Sequence, residues 1–399
     1  MRLLYITLAL MVCALTLADT PYKYLYVPGY GNRSSDGSIN ARFYGLIYKD
    51  KEEDNTILSN FITSGDVKLL RANASTPGEK ERLELNLDPF LHWDLQTFEK
   101  ITFDVKNGNS VTMNDRTGVD GQFDEFHNVP ATALQNGAYI NYTAAKPEDS
   151  RHLYANITIY SATGYSIISD LDDVLRDSRI WNIPYLVRDT ILLPLEPVRG
   201  MPELYANWSR NIPNVAFNYA TTTPILLADE YLRWLYTVYP YGSLDFRPFN
   251  IFDFDDIINV RADQVKRLGE TFPQRKFVMM GDTSSRDTTT AFPDFARKHP
   301  EQTVCIFIRN ITATFPDYSN YQINLEKAFA GVPRNKWFVW DRAEDLYLID
   351  VTSGNCHPPG YSYNQTTASG GYGGTATSSS GVVTFSTLLI VTCLALYFL

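Results

Sequence analysis

The residues of this chain that could do chemistry lie just past its apolar runs. Tyr165-Ser166-Ile167-Ile168-Ser169 leads straight into Asp170-Leu171-Asp172-Asp173. Buried strands do not carry acids in mid-run, so these carboxylates belong where a strand ends. In an open α/β sheet the carboxyl ends of the strands are where ligands bind. Asp170 and Asp172 are two apart, and an extended chain would aim both into one crevice. Paired carboxylates repel. A hard divalent cation such as Mg²⁺ relieves that repulsion and keeps positions open for phosphate oxygens. The pattern therefore points to metal-assisted phosphoryl chemistry.

Two more runs end in the same way. Phe277-Val278-Met279-Met280 stops at Gly281-Asp282, with Asp287 five residues on. Gly281 lets the backbone turn close to a ligand, and Asp282 and Asp287 bring further carboxylates to the same cation. The competing reading is helix capping by Asp and Ser. Phe217-Asn218-Tyr219-Ala220 ends in Thr221-Thr222-Thr223-Pro224 ahead of an expected helix. Hydroxyls and helix amides suit phosphate oxygens, and plain capping is again the alternative. Asp253-Phe254-Asp255-Asp256 copies the acidic pattern but precedes Ile257-Ile258, so it reads as a capped loop or a helix start. The five histidines show no paired metal spacing.

These runs need a scaffold to bring them together. Over residues 139–352 strand-like segments (Tyr165–Ser169, Val215–Ala220, Phe277–Met280, Thr303–Ile308, Trp337–Trp340) alternate with helix-like ones (Met201–Asn207, Ala228–Thr237, Ala262–Thr271, Ala291–Lys298, Ile323–Ala330). That alternation predicts an α/β unit on a mostly parallel, Rossmann-like sheet. Residues 19–138 alternate in short apolar segments punctuated by Gly, Asn, Asp and Pro. They predict a β-rich, sandwich-like domain with one helix near residues 54–64. Residues 353–381, rich in Gly, Ser and Thr, read as a flexible stalk.

The chain has 399 residues and a net charge of −10 with no basic block, which argues against nucleic acid as a partner and against charge-driven binding to an acidic membrane. Residues 1–18 read as a secretory signal peptide. Residues 382–399 form an apolar tail behind Ser369-Gly370-Gly371 and a small, polar spacer. That is the pattern of a glycosylphosphatidylinositol (GPI) anchor at Ser369, with a single C-terminal membrane span as the alternative. The expectation is a protein held on the outer leaflet of the plasma membrane. Sequons at Asn32, Asn73, Asn141, Asn156, Asn207, Asn310 and Asn364 agree with secretion. Cys13 and Cys393 would leave with the end signals. Cys305 and Cys356 would then remain, either paired in an oxidising compartment or as two buried thiols.

Taken together, the strand-end motifs resemble the haloacid-dehalogenase superfamily of phosphatases. More narrowly, the chain resembles the phosphatidate phosphatase catalytic-domain family of the actin-patch protein. The matching words are Ser166-Ile167-Ile168-Ser169-Asp170-Leu171-Asp172-Asp173, Arg199-Gly200-Met201-Pro202-Glu203-Leu204-Tyr205, Gly242-Ser243-Leu244, Phe272-Pro273-Gln274-Arg275-Lys276-Phe277 and Gly281-Asp282. The resemblance implies a haloacid-dehalogenase-type fold and Mg²⁺ held by Asp170, the Asp172 backbone carbonyl and Asp282, with Asp287 in support. Asp170 would be the nucleophile. Asp172 would be the general acid, then the base. Thr221, with Thr222, would hold phosphate oxygens. The phosphate-clamping Lys of the family falls on Arg261, with Lys266 as the second candidate. Val174 stands where Thr is commoner, and Ser285 where the family often has Glu. The implied reaction is phosphomonoester hydrolysis, with phosphatidate to diacylglycerol as first substrate. The rival expectation is a GPI-anchored surface protein that keeps the fold without the catalysis.

Overall fold

A computed structural model describes residues 21–51, 64–145, 155–180, 182, 185–186, 188–248, 254–315 and 324–361. Both chain ends, Ser369, Asn364 and the helix expected before residue 64 lie outside these residues. Among the described residues no helix is long and apolar enough to cross a membrane.

The amino-terminal part contains β1 (Lys23–Tyr26), β2 (Gly29–Arg33), β3 (Ile39–Asp50), α1 (Ser64–Asn73), α2 (Pro77–Leu91), β4 (Trp93–Leu95), β5 (Thr102–Val105), β6 (Val111–Thr112), β7 (Gln122–Val129), β8 (Tyr139–Ala144) and β9 (Asn156–Ile159). In place of the expected sandwich of two sheets, these strands join one nine-stranded mixed sheet. The reason is β3, twelve residues long, which pairs with β1, β2, β4 and β7. β2 and β9 pair in parallel. β8 and β9 lie past residue 138 yet belong to this sheet. In its core Phe43 stacks on Phe103, and Tyr142 meets Phe43 and Tyr26 edge to face.

Helices α1 and α2 are additions to the sequence reading. α2 opens with a capping box in which Thr76 accepts from the Glu79 N–H and the Glu79 carboxylate accepts from the Thr76 N–H, and Pro77 begins the helix.

The carboxy-terminal part runs β10 (Gly164–Ser169), α3 (Met201–Asn211), β11 (Val215–Pro224), α4 (Ala228–Val238), β12 (Ser243–Arg247), α5 (Phe254–Thr271), β13 (Arg275–Asp282), α6 (Arg286–Lys298), β14 (Thr303–Arg309), two one-turn helices and β15 (Trp337–Trp340). Its six strands pair in parallel throughout, in the order β12-β11-β10-β13-β14-β15. This is the α/β architecture the alternation predicts. Strands β10, β13 and β14 are buried on both faces over most of their length, which is why they read as apolar runs. The edge strand β12 was not anticipated, because Ser243-Leu244-Asp245-Phe246-Arg247 mixes charge into a buried strand. Of the helix expected over Ile323–Ala330, the described residues keep one turn, Leu325–Ala328. α5 begins inside the acidic repeat at Asp253–Asp256, at Phe254.

Cys305 on β14 and Cys356 are joined by a disulfide with Cα atoms 5.5 Å apart, within the normal range. The bond ties the segment after β15 to the parallel sheet. The two sheets meet over a buried ion cluster. Arg42 of β3 chelates Asp124 through Nε (2.5 Å) and Nη2 (2.7 Å) and also reaches Asp245 of β12. Arg267 of α5 donates to Asp245 (2.8 Å) and to the Tyr30 hydroxyl (3.1 Å). Arg42 and Asp245 are buried almost completely.

Candidate active site

The parallel register decides what meets what. Ser169 of β10 lies opposite Tyr219 of β11 and Met280 of β13. The residues that follow each strand partner therefore share the carboxyl edge of the sheet. Asp170 is fixed there by its N–H, which donates to the Met280 carbonyl (3.0 Å). Its Oδ1 accepts the Leu171 N–H at 2.8 Å. Its Oδ2 faces Arg261 of α5, with Nη2 at 2.6 Å.

Arg261 is fully buried. Its Nε stands 3.4 Å from Asp287 Oδ2. Both contacts are ion pairs. Its Nη1 donates to the Ala220 carbonyl and to Gln264 Oε1. Burial pushes Asp170 well above the ordinary carboxylate range. Arg261 opposes that shift, and Asp287, Asp282 and Asp172 add to it. A carboxylate, a guanidinium and three further acids thus share one electrostatic site, drawn from the end of β10, α5, β13 and α6. Perturbed carboxylates so grouped mark a candidate functional centre.

Residues 165–310 match the family described as phosphatidate phosphatase APP1, catalytic domain. The chain resembles the phosphatidate phosphatase catalytic-domain family. The phosphatidate phosphatase APP1 of Saccharomyces cerevisiae is 21% identical over 168 residues, covering 40% of this chain and 28% of that protein. An uncharacterized protein of Schizosaccharomyces pombe is 24% identical over 246 residues, covering 57% of this chain and 39% of that one. The chain thus spans well under half the length of either relative.

The APP1-like segment runs from β10 to the end of β14, so it contains Asp170, Asp172, Asp282 and Asp287. The other residues expected in the site divide clearly. The Asp172 carboxylate is buried and saturated. Oδ1 accepts from Arg176 Nε (2.7 Å) and the Tyr231 hydroxyl (3.0 Å), and Oδ2 from Thr221 Oγ1 (3.0 Å) and Thr223 Oγ1 (2.9 Å). Against the upward pull of burial, Arg176 and these hydroxyls hold it below its ordinary range. Thr221 is therefore engaged with Asp172. Thr222 is half-buried, and its carbonyl accepts from Arg247. Lys266 projects outward 4.0 Å from Glu270, with two-thirds of its side chain exposed, while Arg261 reaches Asp170. Val174 is buried in the core.

Asp282 closes the site from β13. Its Oδ1 accepts the Ser284 N–H (2.6 Å) and the Ser284 hydroxyl, while its Oδ2 is buried without a hydrogen-bond donor. Burial, then Asp173, raises its pKa to about 7. Asp287 Oδ1 accepts from the Ser285 hydroxyl, and its Oδ2 has no hydrogen bond. Oxygen-only donors with orphaned carboxylate atoms fit a hard cation. Among the described residues, though, no three such side chains already converge as a metal cage.

Gly281 has a packing reason as well. A Cβ there would lie 2.8 Å from Thr288 Cβ and 2.9 Å from the Phe292 ring of α6. Gly281→Ala should push α6 and Asp287 away and cost about 1–3 kcal/mol. Thermal unfolding, with activity measured in parallel, checks this.

Sequence reasoning missed Arg176, Thr223 and Tyr231 as partners of Asp172, and Asp173 as a structural acid. Asp173 sits at φ 57°, a conformation Asp tolerates, and its carboxylate accepts the N–H groups of Ser178, Arg179 and Ile180. Among the sequons, Asn73 and Asn207 are exposed, whereas the Asn32 amide donates to the Thr271 carbonyl at 2.6 Å.

Proposed function

We propose that the chain is a Mg²⁺-dependent phosphatase of haloacid-dehalogenase type that hydrolyses a phosphomonoester, with phosphatidate as the first candidate substrate. The observation that carries this reading is Asp170 at the carboxyl edge of a parallel sheet with Arg261 2.6 Å from its Oδ2, inside a segment matching the APP1 catalytic domain. Asp170 attacks phosphorus and the bond to the ester oxygen breaks. Asp172, once it has let go of Arg176 or Tyr231 and taken up a proton, gives that proton to the ester oxygen. Water then releases phosphate from the aspartyl group, with Asp172 taking the water's proton. Arg261 orients the phosphoryl oxygens as a fork. Asp170, Asp282, Asp287 and the Asp172 carbonyl would hold Mg²⁺, which neutralises charge between nucleophile and phosphate. Proton transfer requires Asp172 to let go of Arg176 or Tyr231. The membrane anchor and lumenal placement read from the chain ends belong to the same proposal, and would set the enzyme against a lipid surface.

One observation favours the rival reading, a surface protein with the fold and no catalysis: both key carboxylates are already paired with arginines. Release of inorganic phosphate from phosphatidate and from soluble esters separates the two. The phosphatase reading expects turnover that falls at least ~100-fold on chelation and returns with Mg²⁺. No release from any ester by folded protein sinks it.

A further inference from the structure

Arg261 is held in place by a neighbour that is itself completely engaged. Gln264 lies three residues on along α5, on the same helix face, and is 2% exposed. Its Oε1 accepts from Arg261 Nη1 at 3.3 Å. Its Nε2 donates to the Thr221 carbonyl at 3.1 Å and to the Asp245 carbonyl at 3.4 Å. The reverse amide orientation would set its NH₂ against a guanidinium and its oxygen against two carbonyls, so the chemistry of the neighbours fixes which way it points. One side chain thus ties together α5, the end of β11 and β12. β12 is anchored in turn by the grip of Arg42 and Arg267 on the Asp245 carboxylate.

We propose that Gln264 is a positioning residue for the reaction. It acts through Arg261, and the inference rests on the reading of Asp170 as the nucleophile. Nη1 of Arg261 is held by two neutral acceptors, the Ala220 carbonyl and Gln264 Oε1. With that nitrogen fixed, the planar guanidinium can turn only so that Nη2 meets Asp170 and Nε meets Asp287. Removing the Gln264 acceptor leaves one anchor, and the fork can swing off the line on which it meets the phosphoryl group. Small misplacements of this kind cost rate more than binding.

The test is a double-mutant cycle in the full chain, read as steady-state kinetics on a soluble phosphomonoester with Mg²⁺, with unfolding temperature recorded for every variant. Gln264→Leu is expected to lower kcat about tenfold with KM held within about twofold. In the Arg261→Lys background the same change should alter kcat by less than about twofold, because a lysine has no fork to orient. If Gln264→Leu does not fold, Gln264→Met, closer in shape, carries the same expectations. An unchanged kcat in a folded Gln264 variant overturns the inference. So does the same loss in both backgrounds, which would be a structural effect independent of Arg261. If wild-type protein is inactive on every ester, the phosphatase reading falls and takes this inference with it. Active wild type with additive variants overturns the inference alone.

Discussion

Asp170→Asn is expected to lower kcat/KM by at least about 10⁴-fold, the scale on which loss of a covalent nucleophile is felt, while the protein stays folded. Asn is nearly isosteric and keeps an oxygen for the Leu171 N–H. What it removes is a charge the fold holds at a cost. Burial raises the Asp170 pKa, so the native state favours the protonated carboxyl more than the unfolded chain does. The sign follows: Asp170 adds stability below its unfolded pKa, and that contribution is lost as pH rises through the folded one. Near neutral pH the variant should therefore unfold at a temperature equal to or above that of the wild type, although Arg261 loses one of its two acids. Loss of activity without loss of stability separates a reacting group from a structural one. Retained turnover would rule Asp170 out as the nucleophile. A steep fall in unfolding temperature would make it a structural residue.

The second large effect is expected far from the reacting groups. Arg42→Met should destabilise the protein by about 3–5 kcal/mol, the range for breaking a buried ion pair from one side. Arg42 and Asp245 are both buried, and without Arg42 the Asp245 carboxylate keeps Arg267 at 2.8 Å as its remaining cation. Asp124 loses its two shortest contacts. Pairing Arg42→Met with Asp245→Asn should recover part of the loss, because the uncompensated charge goes too. Denaturant unfolding measures both. A loss under about 1 kcal/mol would mean that the seam between the sheets is held by apolar packing and not by this cluster.

The sequence reveals where the site is more readily than how it is wired. The end of β10 at Ser169 was legible because a strand buried on both faces reads as an apolar run. β11 and β13 run on to Pro224 and Asp282, past the first hydroxyl or acid, because those polar groups are buried too. Arg261 is marked only by its place in the family resemblance, since a buried arginine looks like a surface one until its helix is packed. The saturation of Asp172 was not legible. Arg176 reaches it through an irregular turn, and Thr223 and Tyr231 come from 51 and 59 residues away. In the amino-terminal half, Leu83, Leu87, Phe90 and Leu91 do recur at helical spacing. Interleaved Glu and Lys, and Pro89 within the helix, hid a pattern that the Thr76 and Glu79 capping box announces. The sandwich expectation failed because short alternating segments do not say whether one long strand, here β3, will join them.

The central claim is that Asp170 carries the phosphoryl group during turnover. Acid quenching of the protein during steady-state hydrolysis of a labelled ester with Mg²⁺, followed by peptide mapping, tests it most directly. One phosphoryl group on Asp170, absent from the Asp170→Asn protein, is the predicted result. Turnover with the label on another residue, or label kept by Asp170→Asn, would contradict it.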